Sequence, residues 1–134
     1  MEALPTLSPL AGKRIVTVED ESITQLQLRK VLTRAGLVVV GQAMNGRDGV
    51  ELILREKPDL VTMDITMPIM DGLEATRQVM EKDQTCVVIV TAYTNDEYRD
   101  KAAAVGASGY VVKPITASSL LPALEHIYAN RAAK

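Results

Sequence analysis

Cys86 is the only cysteine in the chain, so no disulfide can close within it. It lies in an apolar run and is expected to be a buried, inert core residue. No apolar stretch is long enough to span a bilayer. Neither sign of charge is in marked excess: 15 Lys and Arg face 17 Asp and Glu, and the formal net charge of -2 makes no electrostatic case for nucleic acid or an anionic membrane. Residues 1–12 contain Glu2, Pro5 and Pro9 and no basic run, so they do not read as a secretion signal. They are expected to form a flexible lead-in, and the protein is expected to be cytoplasmic. Internal repeats, low-complexity tracts and an interdomain linker are likewise missing. What remains is 134 residues with 47% hydrophobic and 24% charged content, enough for one domain with a real core.

That domain reads as an alternation. Apolar, β-branched runs predict strands over 14–18, 37–40, 60–63, 86–90 and 108–112. Between and after them, helices are expected over 22–35, 46–56, 73–82, 96–105 and from 117 or 118 to 131. In the first helix the apolar residues at helical intervals are Ile23, Leu26, Val31 and Leu32. Gly36 and Gly106 stop helices, and Pro58 ends another. The strands are apolar throughout rather than alternating, as expected when both faces are covered and the sheet is parallel. Right-handed crossovers and the doubly wound order 2-1-3-4-5 follow as the natural choice. The expected bounds are 1–12 for the lead-in, 13–131 for the domain and 132–134 for a tail.

The informative residues stand at the ends of the strands. Asp64 follows Leu60-Val61-Thr62-Met63, and Glu19-Asp20 follow Ile15-Val16-Thr17-Val18. Thr91 follows Val87-Val88-Ile89-Val90, and Lys113 follows Gly109-Tyr110-Val111-Val112. In open parallel sheets, ligands bind at the carboxyl ends of the strands. In the order 2-1-3-4-5 these groups converge there, while the second strand, ending near Gln42-Ala43-Met44, brings nothing catalytic. An acid pair, an acid, a hydroxyl and a lysine suggest one divalent-metal and phosphate site.

Four segments carry a resemblance to a known family. They are Val18-Glu19-Asp20-Glu21, the run from Met63-Asp64 through Met67-Pro68 to Asp71-Gly72, Val90-Thr91-Ala92, and Gly106-Ala107-Ser108-Gly109-Tyr110-Val111-Val112-Lys113-Pro114. In this order, and at strand ends, they resemble the receiver domain of two-component response regulators over 13–131. The resemblance implies a flavodoxin-like (βα)5 fold with Asp64 as phosphoacceptor, phosphorylated by a sensor histidine kinase or a histidine phosphotransfer protein. It implies Glu19 and Asp20 as the acid pair, Thr91 as switch hydroxyl, Tyr110 as switch aromatic and Lys113 as the lysine. It also implies the Thr66 backbone carbonyl as a metal ligand and a cis Lys113–Pro114 bond.

The chemistry asks for these residue types. Phosphate and Asp64 are both negative, so a metal must offset their repulsion, and Mg²⁺ (or Mn²⁺) takes carboxylate and phosphate oxygens. Asp20 and Asp64 would bind directly, Glu19 directly or through water. Lys113 and the Thr91 hydroxyl would each meet a phosphoryl oxygen, so that catalysis is positioning and neutralisation. A phosphoryl group on Asp64 adds roughly 1.5 to 2 negative charges. The Thr91 hydroxyl would move toward it, Tyr110 would turn into the space left, and the surface of the fourth helix, fifth strand and fifth helix would change. Thr66 and Tyr93, two residues beyond Asp64 and Thr91, would flank and screen the acyl phosphate.

Each residue also has a plainer reading. Asp20 and Glu21 stand where a helix begins, where acids cap and meet the helix dipole, and Asp71 is read as the cap of the third helix with Gly72 serving the turn. Asp96, Glu97, Arg99, Asp100 and Lys101 read as a solvated helix face, with a phosphorylation-dependent homodimer through it as the alternative. His126, the one histidine, reads as a surface residue rather than a phosphodonor. Whole-chain alternatives are an N-terminal receiver of a longer DNA- or RNA-binding regulator, a Mg-dependent phosphohydrolase with an aspartyl-phosphate intermediate, and an FMN binder. The hydrolase would want an acid where Thr66 stands. The FMN binder would want a phosphate-cradling loop where Glu19-Asp20-Glu21 would repel a phosphate.

Overall fold

A computed structural model describes residues 7–131. The chain alternates strictly: β1 Arg14–Val18, α1 Ser22–Arg34, β2 Val38–Ala43, α2 Gly46–Glu56, β3 Leu60–Met63, α3 Gly72–Lys82, β4 Cys86–Thr91, α4 Asp96–Ala104, β5 Gly109–Val112 and α5 Ala117–Arg131. The strands form one parallel sheet of order β2-β1-β3-β4-β5, as the apolar strand pattern predicts. No helix of the described residues is long and apolar enough to cross a membrane.

Strand residues alternate between two cores. On one face Ile15, Leu60, Val88 and Val90 pack with Leu28 and Leu32 of α1 and Leu120 and Leu124 of α5. On the other, Val16, Val61, Val87 and Ile89 pack with Ile53 of α2, Ala75 and Val79 of α3, and Ala102 of α4. Each fully buried Leu or Ile contributes roughly 1.5–3 kcal/mol. α4 is held most lightly, with Ala102 its one buried residue, and its charged residues Asp96, Glu97, Arg99, Asp100 and Lys101 are exposed. Cys86 is buried.

Four local features differ from the sequence expectation. In α1 the buried positions are Gln25, Leu28 and Leu32, while Ile23 is 75% and Leu26 55% exposed. The helix turns a polar residue inward because the ends of β1 and β2 offer that residue backbone partners, described below. β2 runs Val38–Ala43, continuing through Gly41, Gln42 and Ala43 beyond the expected 37–40. Glycine suits position 41 because a Cβ there would lie 2.8 Å from the Leu52 side chain, and the β1–β2 ladder passes over Val40 of β2 between the partners of Ile15 and Val16. α3 opens at Gly72, one residue before the expected start, while Asp71 caps it as expected, its carboxylate accepting from the Glu74 amide at 2.8 Å. Finally, residues 8–12 of the expected lead-in pack on the domain. Ser8 and Leu10 are buried, the Ser8 amide donates to the Ala35 carbonyl, and the Ser8 hydroxyl donates to Glu125 at 2.6 Å. Residues 1–6 and the expected tail 132–134 lie outside the described residues.

Candidate functional site

The loop after β3 sets the position of Asp64. The Asp64 amide donates to the Val18 carbonyl at 3.0 Å, extending the β1–β3 ladder by one residue. Its Oδ1 accepts from the Ile65 amide at 2.7 Å, which leaves Oδ2 facing Lys113. Downstream the loop folds back on itself: the Gly72 amide donates to the Ile65 carbonyl at 2.7 Å, and a Cβ at Gly72 would fall 1.8 Å from the Asp64 carbonyl oxygen. Gly72 is therefore required by close approach to the acidic loop. At Ile69 the chain takes φ 72°, and the Met70 amide reaches back to the Pro68 carbonyl at 2.7 Å. A β-branched residue is rare at such a φ.

Glu19, Asp20 and Asp64 come together as the sequence reading expects. Their nearest carboxylate oxygens lie within 4.8 Å of one another. Glu19 is 2% exposed and Asp64 8%, whereas Asp20 is exposed. The capping reading of Asp20 and Glu21 finds no side-chain cap bond among the described residues. Glu21 flanks α1 without a side-chain cap bond, and Asp20 has no hydrogen bond or ion pair among the described residues. The Glu19 carboxylate instead accepts from the Glu21 amide at 3.1 Å.

Lys113 reaches into this cluster from the end of β5, and the Lys113–Pro114 bond is cis. Its Nζ lies 2.7 Å from Glu19, 3.0 Å from Asp64 and 3.4 Å from Glu21. One ammonium thus serves three carboxylates. Burial pushes the Glu19 carboxyl up to about 7, against the pull of Lys113. Burial also works against the Lys113 charge, but its hydrogen bonds to Glu19 and Asp64 hold its pKa above the ordinary lysine value. A surplus of partly buried carboxylate oxygens, with Asp20 unpartnered, is a donor set suited to a hard divalent cation.

Thr91 and Tyr110 stand at the rim. Thr91 is buried, and its hydroxyl accepts only a long bond from the Tyr93 amide, 3.4 Å. Tyr110 donates its hydroxyl to the Tyr93 carbonyl at 2.8 Å, and the Arg99 guanidinium lies 4.6 Å from its ring centroid. Burial raises the Tyr110 pKa. Thr66 and Tyr93 meet directly, their hydroxyl oxygens 2.9 Å apart. The Tyr93 ring stacks on Tyr98 of α4, centroids 4.3 Å apart and planes 14° apart. Pro114 is exposed and lines, with Thr24, Gln27, Lys113 and Ile115, a hollow of about 340 Å³ beside the cluster. His126 is exposed on α5 beside Asn130.

Three participants carry little signal in the sequence. Glu21 read as a cap and in fact faces Lys113. Tyr98 stands among the charged residues of α4, and its spacing gives no sign of the stack on Tyr93. Gln25 sits among polar residues of an amphipathic helix, and nothing in its spacing marks it as buried.

The comparisons with known proteins agree with this geometry. Residues 15–125 match the response regulator receiver domain family. The chemotaxis protein CheY of Thermotoga maritima is 38% identical over 117 residues, covering 87% of this chain and 98% of that protein. The transcriptional regulatory protein PdtaR of Mycobacterium tuberculosis is 37% identical over 113 residues, 84% of this chain. The match covers 55% of PdtaR, so this chain spans about half the length of that relative. Among solved structures, a chain of the CheX–CheY–BeF3–Mg²⁺ complex from Borrelia burgdorferi superposes with a TM-score of 0.85 at 26% identity, over 88% of this chain and 90% of that one. With the sheet order, the acidic cluster and the lysine at their places, the chain belongs to the response regulator receiver domains of two-component systems.

Proposed function

We propose that the domain accepts a phosphoryl group on Asp64 from a phosphohistidine of a partner kinase or histidine phosphotransfer protein. The observation that carries this reading is the Lys113 ammonium between Glu19 and Asp64, with the unpartnered Asp20 in the same cluster. Asp20, Asp64, Glu19 and the Thr66 carbonyl would hold Mg²⁺ (or Mn²⁺). When bound, the ion offsets the charge of the incoming phosphoryl group.

The residues divide the remaining work. Asp64 Oδ2, the oxygen turned away from the Ile65 amide, forms the new P–O bond as the P–N bond breaks. The electron pair leaves with the partner's imidazole. Lys113 exchanges a carboxylate for a phosphoryl oxygen, and the Thr91 hydroxyl, whose proton is committed to no described group, donates to another. Tyr110 then leaves the Tyr93 carbonyl and turns inward, changing the face of α4, β5 and α5. Finding Tyr110 in one rotamer in phosphorylated and free forms would exclude this switch. The exposed Ile23 and Leu26, on α1 near the hollow lined by Thr24, Gln27, Pro114 and Ile115, supply apolar surface for the donor.

In this reading the domain is a signalling module that catalyses only its own phosphorylation and dephosphorylation. A hydrolase of the aspartyl-phosphate class is disfavoured because Thr66, bonded to Tyr93, stands where its general acid would be. A second reading makes the domain the N-terminal receiver of a longer regulator. The half-length match to a transcriptional regulatory protein favours it, and the length of the encoded protein decides it. The test of phosphoacceptance is intact mass after incubation with acetyl phosphate and Mg²⁺. One added phosphoryl group is expected, lost in Asp64→Asn and with a chelator. No adduct and no Mg²⁺ binding would leave the cluster structural.

A further inference from the structure

Gln25 is a buried polar side chain that the proposed chemistry gives no role. Gln25 is 5% exposed on the face of α1 that also buries Leu28 and Leu32. A buried amide needs its hydrogen-bonding capacity filled, and here it is filled by the ends of two strands. Its Nε2 donates to the carbonyls of Ala43 at 2.8 Å and Glu19 at 3.0 Å, with the Thr17 carbonyl further off at 3.3 Å. Its Oε1 accepts from the Thr17 hydroxyl at 2.6 Å and from Gln42 Nε2 at 2.8 Å. The Glu19 amide in turn donates to the same Ala43 carbonyl at 3.0 Å.

These bonds lie where the sheet gives out. The β1–β2 register ends at Val18 and Ala43, and beyond it the bond from the Glu19 amide to the Ala43 carbonyl is the last backbone tie to β2 among the described residues, leaving the Glu19 carbonyl without a strand partner. The Glu19 carbonyl shares a rigid plane with the amide of Asp20. Fixing that carbonyl fixes the direction in which the chain delivers Asp20. Asp20 has no partner of its own among the described residues, so its backbone is what places its carboxylate within 4.8 Å of Glu19 and Asp64.

We infer that Gln25 is a positioning residue for the acidic cluster, holding the Glu19–Asp20 peptide so that the three carboxylates converge on a divalent cation. The inference rests on the reading of that cluster as a cation site. Groups behind the ligands of a metal set its affinity, and losing one costs about tenfold or more. Gln42 supplies an internal comparison. It bonds to the Thr17 hydroxyl, the Gln25 carbonyl and Gln25 Oε1, within the same buried network, but makes no bond to Glu19.

The experiment is titration of Mn²⁺ into the whole chain, followed by electron paramagnetic resonance, with circular dichroism verifying the fold of each variant. Gln25→Met keeps the shape and helix preference of the side chain and removes its donors. It is expected to weaken Mn²⁺ binding about tenfold, with Gln42→Met within about twofold of wild type. If Gln25→Met does not fold, Gln25→Asn replaces it, drawing the amide back by about one C–C bond length, about 1.5 Å. Wild-type affinity in a folded Gln25 variant overturns the inference, as does an equal loss in Gln42→Met. Wild-type protein that binds no Mn²⁺ overturns the cation reading itself and this inference with it.

Discussion

The hydroxyls of Thr66 and Tyr93 lie 2.9 Å apart, joining the loop after Asp64 to the loop after Thr91. The same Tyr93 accepts from Tyr110 through its carbonyl and stacks on Tyr98, so one residue touches the loop after β3, β5 and α4. Replacing Tyr93 by alanine removes both the hydroxyl bridge and the ring proposed to screen Asp64. The acyl phosphate of Tyr93→Ala is expected to hydrolyse roughly threefold to tenfold faster, the equivalent of one lost hydrogen bond, while its formation changes less. The decay of the phosphorylated mass after removal of acetyl phosphate measures this. An unchanged decay would remove Tyr93 from the screen.

Glu19 makes metal-free stability depend on pH. Its folded pKa, about 7, lies above the ordinary carboxyl value of 4.5 because burial disfavours its charge. The folded state therefore binds more protons than the unfolded state between these values. The stabilising contribution is complete below the unfolded pKa and is lost as pH rises through about 7. Glu19→Gln removes that dependence. In chelator, its melting temperature is expected to gain on that of wild type between pH 5 and 8. Parallel curves would show that Glu19 titrates normally.

Ile69 holds a strained conformation at an exposed site, with φ 72° and 66% exposure. Such strain costs about 1–3 kcal/mol, and glycine relieves it at a penalty of about 0.5–1 kcal/mol in unfolded-state freedom. Ile69→Gly is expected to stabilise the domain by about 1 kcal/mol, read as a higher midpoint in urea. A lower midpoint would mean that the isoleucine side chain contributes more than its backbone costs.

Much of this architecture is legible in the residues. Strands such as 60–63 and 86–90 are apolar on both faces, which identifies a parallel sheet, and the strand order then brings Glu19, Asp20, Asp64, Thr91 and Lys113 to one edge. The orientation of α1 is not legible. Ile23 and Leu26 look like core and face solvent, because burying Gln25 satisfies carbonyls that periodicity does not register. The role of Gly72 is hidden for a similar reason. A turn glycine and a close-approach glycine look alike until the Asp64 carbonyl is placed against it. The stack of Tyr93 on Tyr98 depends on the path of the 91–96 loop, which no local preference fixes.

The tyrosine cluster also makes the domain its own optical reporter. The chain has four tyrosines and no tryptophan, so all of its near-ultraviolet emission comes from tyrosine. Tyr93, Tyr98 and Tyr110 share one contact network at the acidic edge, while Tyr128 lies between Lys13 and Arg131 on α5. Three of the four emitters therefore sit where the chemistry would occur, two of them stacked face to face. A rearrangement at Asp64 that disturbs Tyr93 changes the light leaving the unlabelled protein.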